Sequence, residues 1–402
     1  MSLIKLTYFF FRLLSFISHR FNIEWPLVIR NRGFKNTCSK KALLYYKNDS
    51  IIFPWLASTF IHTNLWEVPE IVRILNRYNF LVDIVDRDAK NFIPKNEYDL
   101  FIGLGAGHSG KFFAQYAKKL PSATKVLLAN GPEPIISNKL VKEQYERFNK
   151  RKSCKVPAMR LTEGLDFKTF SLITDYFLVI GEPGSFCPET YKHLKKPVLT
   201  YLPSSSPNIK FDPRWIAKRN RKSFLCFVGN GFICKGVDVL VDAFLKMPEA
   251  NLHICGPDSE KLFFEVLGKD ISDSHNISYE GFVDVRGSRF NQLVNECSYV
   301  IFASSSEGCA TSVTSVLRAG LIPILTPETG IKVGDFGYLL DGKKSDLISK
   351  TIEICREAMA LDAESYRSKV FDVLEDSLKY TQSSFSTTFE KSLITILNKI
   401  GK

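Results

Sequence analysis

The chain is poor in the patterns that hold metals or cross-links. Its nine cysteines are an odd number with no C-x-x-C pair, and its six histidines include no H-E-x-x-H or similar ligand pair. Neither a zinc spacing nor a disulfide framework emerges from them, so no protein-held metal is expected. Cys226, Cys255 and Cys297 fall in or beside apolar runs and read as reduced core thiols of a cytoplasmic protein. No stretch of about 18 uncharged apolar residues occurs, which excludes a membrane-spanning helix. No basic stripe alternates with stacking aromatics, which argues against nucleic acid as a partner. Low-complexity tracts and short-period repeats are absent as well.

What is present is a globular composition, 45% hydrophobic and 24% charged over 402 residues. That length exceeds one ordinary core and suits two α/β domains of roughly 150 to 200 residues each. The net charge of +12 is concentrated at one end: residues 1–50 carry nine Lys or Arg against Glu24 and Asp49, a balance of +7. There Leu3, Leu6, Phe10, Leu13, Leu14, Ile17 and Phe21 recur at helical spacing, with Lys5, Arg12 and His19 on the opposite side. Arg12 interrupts the apolar part and no small-residue cleavage site follows, unlike a signal peptide. Two readings stand for this amphipathic helix: residues 3–21 lie on an anionic membrane surface, at the inner face of the plasma membrane, or they pack on the first domain.

Apolar runs then alternate with helical patterns. Ile51–Phe53 reads as the first strand, followed by Leu81–Val85, Tyr98–Leu104, Lys125–Ala129, Tyr176–Ile180 and Val198–Tyr201, with helices between them. This alternation predicts a parallel sheet covered by helices on both faces. The expected divisions are a basic segment 1–48, a first domain 49–205, a Ser/Pro-rich linker 206–222, a second domain 223–380 and a final helix 381–402.

Two loops in the second half carry the chemistry. The strand Tyr299–Ala303 runs into Ser304-Ser305-Ser306-Glu307-Gly308 and then into a helix from Ala310 that stops at Gly320. Such a loop puts Glu307 at the carboxyl edge of a parallel sheet beside the positive end of a helix, which suits a diphosphate next to a hydroxyl-rich group. The second loop is Val228-Gly229-Asn230-Gly231-Phe232-Ile233-Cys234-Lys235-Gly236, where glycines admit close approach and Lys235 offers a point charge to phosphate oxygens. A lysine at the positive end of a helix is electrostatically odd unless an anion is bound there.

Together with Leu252–Gly256 and Tyr279–Val283, these loops resemble the C-terminal half of family 4 (group 1) glycosyltransferases, at matching order and spacing over about a hundred residues. The resemblance implies a GT-B fold, in which two Rossmann-like domains face each other across a cleft. It implies a retaining enzyme that takes a nucleotide-diphosphate sugar as donor and needs no cofactor. The basic amphipathic N-terminus points further to a glycan or lipid-linked acceptor at the inner membrane face, as in bacterial surface polysaccharide biosynthesis. Lys235 and Glu307 are then the expected catalytic residues. Gly229, Asn230, Gly256, Phe282, Gly308, Cys309, Ala310, Thr311, Ser312 and Ser315 are expected around the donor. Two positions depart from the family pattern: Asn230 stands where arginine is usual, five residues before the lysine, and Ser315 replaces the second glutamate of E-x7-E, which contacts the ribose. These departures leave open a non-catalytic nucleotide-sugar binding or scaffold protein, and a GT-B sugar-nucleotide epimerase is the other alternative.

The first half contains Gly103-Leu104-Gly105-Ala106-Gly107-His108-Ser109-Gly110-Lys111. Phe112 stands where a P-loop needs Ser or Thr for Mg²⁺, and Asn130 where a dinucleotide fold needs an acid, so neither nucleotide motif holds. The loop reads instead as part of the cleft, with Gly105 and Gly107 near the acceptor and His108 a third catalytic candidate, or else as a tight turn. His62 and Asn64 are further acceptor-side candidates, against a packing role for the histidine. Glu133 and Glu182, each after a strand, read as hydroxyl ligands or solvated loop carboxylates.

Overall fold

A computed structural model of the chain describes residues 3–21, 23–33, 40–59, 62–89, 92–105, 112–162, 167–342 and 346–400. The first sheet holds β1 (Val28–Arg32), β2 (Lys40–Tyr46), β3 (Phe80–Asp86), β4 (Leu100–Leu104), β5 (Thr124–Ala129), β6 (Tyr176–Ile180) and β7 (Val198–Tyr201) in the order β1-β3-β2-β4-β5-β6-β7. Only β1 is antiparallel. The second sheet holds β8 (Asn220–Phe227), β9 (Asn251–Cys255), β10 (Ile277–Gly281), β11 (Cys297–Phe302), β12 (Ile322–Leu325) and β13 (Tyr338–Leu339) in the order β10-β9-β8-β11-β12-β13, all parallel. Strands such as β4 and β11 are buried along their whole length, as a sheet covered on both faces requires.

Among the parallel strands each order reverses once, between β2 and β4 in the first sheet and between β8 and β11 in the second. At a reversal the following loops diverge to opposite faces and leave a crevice at the carboxyl edge, where ligands bind. The two second-half loops singled out above are the ones that flank the β8/β11 reversal. Gly105, at the end of β4, and the segment that follows β2 flank the other.

The first strand lies elsewhere than expected. Asp49–Ile52 is a short helix, and the strand is β2, at the reversal of its sheet. β2 begins with Lys40 and Lys41, whose charge hides the short apolar run Ala42–Tyr46. β1 and β2 therefore put much of the basic segment 1–48 inside the first sheet, so that domain starts before residue 49. Two helices tie the halves together. Pro134–Lys152, from the first half, bonds to the second through Tyr145, whose hydroxyl donates to Glu260 (2.6 Å), and through Arg151, which pairs with Asp238 (2.5 Å) and Asp242 (2.6 Å). Gln382–Ile400 returns to the first sheet, where Ser392 donates to the Thr200 carbonyl (2.8 Å) and Glu390 pairs with Arg77 (2.8 Å).

Candidate active site

The loops after β8 and β11 hold each other in place. The Cys234 carbonyl accepts from Ser305 N (2.9 Å) and Ser305 Oγ (2.8 Å). Gly236 sits at φ +71°, and a Cβ there would lie 2.1 Å from the Ala303 oxygen, so glycine alone suits both the conformation and the approach. The first loop is anchored by Phe232, buried against Phe263 and Phe264, and by Glu260, whose carboxylate accepts from the amides of Phe232 and Ile233.

This contact brings Lys235 and Glu307 together as an ion pair with side chains 7% and 16% exposed. Burial pushes the Glu307 carboxyl up, but the charges of Lys235 and Arg160 outweigh it and hold the group below its ordinary value. Withdrawing both charges from water has a cost that stability alone does not explain. A buried Lys–Glu pair held between two such loops is a group that an incoming anion can open.

The same loops wall a cavity of about 240 Å³. Gly229, Gly256, Phe282, Thr311, Ser312 and Ser315 line it from the second domain, His62 and Thr63 from the first, and Ser206 from the connection. Phe282 is 71% exposed and presents a bare ring face. Ser315 Oγ donates to the Thr311 carbonyl (2.8 Å), so only its lone pairs remain for a ligand. Asp284, paired with Arg286 (2.5 Å), is the carboxylate on this wall. His62 keeps an exposed side chain at this wall, and partial desolvation together with the charges of Lys47 and Arg87 shifts its imidazole downward.

Seven of the expected residues thus meet at one cavity: His62, Gly229, Gly256, Phe282, Thr311, Ser312 and Ser315. Others take different places. Cys309 and Ala310 are buried in the turn before the helix Thr311–Leu317. Gly308 packs against the first domain, where a Cβ would lie 2.6 Å from the Asn130 oxygen. The Asn230 side chain accepts from Ser259 Oγ (2.9 Å). Asn64 opens the helix Asn64–Arg77 and does not line the cavity. Gly105 packs tightly, since a Cβ there would come within 2.1 Å of Leu127. Gly107 and His108 lie outside the described residues. Glu133 is a fully buried cap that accepts from Ile136 N (2.7 Å), and Glu182 pairs with Lys379 (2.9 Å), so neither is a solvated loop carboxylate. No motif in the sequence marks Ser206, Asp284, Glu260 or Arg160, because each comes from a segment outside the two loops.

Residues 208–355 match the family model of glycosyl transferases group 1. No curated protein sequence matches the chain. Among solved structures, sucrose-phosphate synthase from Thermosynechococcus elongatus aligns over 90% of this chain and 100% of its own, at TM-score 0.60 and 10% identity. HepE from Anabaena, in complex with UDP-glucose, aligns over 90% and 100% at TM-score 0.55 and 13% identity. WaaG, a glycosyltransferase involved in lipopolysaccharide biosynthesis, aligns over 88% and 99% at TM-score 0.53 and 14% identity. Residues 208–355 therefore resemble the group 1 glycosyl transferases, and the chain as a whole has the GT-B fold of these structures.

Proposed function

We propose that the chain moves a sugar from a nucleotide-diphosphate sugar to a glycan or lipid-linked acceptor, with retention of configuration at the anomeric carbon. The observation that carries this reading is the buried Lys235–Glu307 pair at the β8/β11 reversal, beside a cavity with a bare aromatic ring and several hydroxyls. In this account the base lies against Phe282 and the backbone at Gly256, and the ribose meets Ser315 and Ser312. The diphosphate draws Lys235 away from Glu307, which frees the carboxylate to accept from hydroxyls of the transferred sugar. As the glycosidic bond breaks, charge grows on the departing diphosphate, and Lys235 with the first amides of the helix Thr311–Leu317 stabilises it. Neutral His62 faces the donor from the acceptor side. No step needs a cofactor. That HepE holds UDP-glucose supports a nucleotide-diphosphate sugar as the donor class.

The first helix, Leu3–Phe21, supports an acceptor at the inner face of the plasma membrane. It turns Thr7 and Ser18 inward, 8% and 2% exposed, and leaves Phe9, Phe10, Leu13, Phe16 and Ile17 outward, so its apolar side faces away from the body of the protein. A helix that only packed on the domain would show the reverse, and exposed Arg12 and Arg20 add charge for anionic headgroups. Among the described residues no helix is long and apolar enough to cross a membrane. WaaG's part in lipopolysaccharide biosynthesis supports a role in surface polysaccharide assembly. The test is to incubate the protein with UDP-, GDP- and ADP-sugars and a bacterial lipid extract, and to determine the anomer of any glycolipid formed. A product of inverted configuration, or none with any donor, contradicts the proposal.

A further inference from the structure

The loop that carries Lys235 lacks a second cation, because Asn230 is neutral and its side chain is tied to Ser259 (2.9 Å). A cation nevertheless stands at this place. Arg160, from the first half of the chain, donates through Nη1 to the Asn230 carbonyl (2.8 Å). Its stem crosses Gly231 so closely that a Cβ on that glycine would come within 2.4 Å of Arg160 Cδ. Among the described residues Arg160 forms no ion pair, yet after Lys235 its charge is the main influence holding Glu307 ionised. One nitrogen of the guanidinium is engaged with a neutral carbonyl, and the other donors remain for oxygens nearby.

The backbone supports a role beyond chance proximity. Arg160 adopts φ +63°, a left-handed conformation uncommon for a residue with a side chain. Strain of this kind persists where the surroundings impose it, and it clusters at functional sites. The surroundings do impose it: Asn149 brackets Val156 with bonds of 2.8 and 2.9 Å, and Asn138 brackets Thr162 with bonds of 2.8 and 2.9 Å. Both asparagines belong to the helix Pro134–Lys152, itself docked on the second domain. The segment that carries Arg160 is thus pinned on either side.

We propose that Arg160 is the second cation of the donor diphosphate site, supplied from the first domain in place of the missing arginine at position 230. The proposal rests on reading the Lys235–Glu307 site as the donor site. It adds that the diphosphate is held by both domains, so the site is complete only while the helix Pro134–Lys152 stays docked.

Calorimetric titration of the full chain with UDP, GDP and ADP, each beside its nucleoside, tests this. Arg160→Ala and Arg160→Gln should weaken the binding of whichever diphosphate the unmodified chain takes by about tenfold to a hundredfold, the range of a charged hydrogen bond. Nucleoside affinity and the melting temperature of the ligand-free protein should stay as they are. Arg160→Gln keeps a donor for the Asn230 carbonyl, so its loss isolates the charge from the contact. Adding Asn230→Arg to Arg160→Ala should restore most of the lost affinity. Unchanged diphosphate binding in both Arg160 variants would overturn the proposal and leave the donor site standing. An equal loss for diphosphate and nucleoside would overturn it too, by reducing Arg160 to a brace for the loop. If the unmodified chain binds no diphosphate at all, the donor-site reading falls first and takes the proposal with it.

Discussion

Glu67 is 6% exposed and accepts from Ser204 N (3.1 Å) and Ser204 Oγ (2.9 Å), where the first domain meets the connection to the second. Burial lifts its carboxyl to about 7 in spite of these bonds. The folded state therefore holds a proton that the unfolded chain releases near its ordinary value, so the contribution of this group is full at low pH and is lost as pH rises through about 7. Glu67→Gln keeps the acceptor oxygen and removes the titration. Its stability relative to the parent should increase by about 2 to 3 kcal/mol between pH 5 and pH 8, read from urea unfolding at both pH values. A constant difference would mean that Glu67 titrates as an exposed acid. Lys235 and Glu307 show how far single residues were legible. The two motifs marked both side chains, but neither shows that in the ligand-free protein each is the other's partner. That follows only from the approach of Gly236 to Ala303.

At the scale of elements, the helix Pro134–Lys152 decides how the halves meet. No local motif in the sequence marks Arg151, whose partners Asp238 and Asp242 lie 87 and 91 residues further on. In the fold Arg151 reaches Asp238, which is fully buried and whose carboxyl burial pushes up to about 6 even with the arginine present. Ionised Asp238 is thus tolerated because Arg151 is there. Its contribution to stability is full at low pH and is lost as pH rises through about 6. Arg151→Ala should cost about 3 kcal/mol at pH 8 and clearly less at pH 5, where Asp238 takes up a proton instead of remaining an unpaired buried charge. Thermal unfolding at the two pH values checks this, and an equal loss at both would contradict it. The strands flanking the β8/β11 reversal were legible because long apolar runs end in small-residue loops. β2 was not, since two lysines open it and its apolar run is short. Arg160 escaped for a different reason: its partner Asn230 is seventy residues away and no local pattern links them.

At the scale of the molecule, the final helix returns to the first sheet, and the first helix turns aromatic side chains outward. Co-sedimentation with vesicles measures what that outward face does. The protein should pellet with anionic phosphatidylglycerol vesicles and much less with phosphatidylcholine, and added salt should weaken the binding. Phe10→Glu together with Phe16→Glu should abolish binding while leaving the melting temperature unchanged, because both rings are exposed. Equal binding by this variant would contradict the membrane reading. The proposed donor site puts a nucleotide diphosphate in the crevice between β8 and β11. The most direct measurement is a thermal-shift series with UDP, GDP, ADP and their sugar conjugates on the parent protein and on Lys235→Ala. A ligand bound only by the folded state raises its melting temperature by mass action. The melting temperature should rise with one base, more for the diphosphate than for the nucleoside, and the rise should be lost in Lys235→Ala. No rise with any nucleotide at millimolar concentration, or an equal rise in Lys235→Ala, would contradict it.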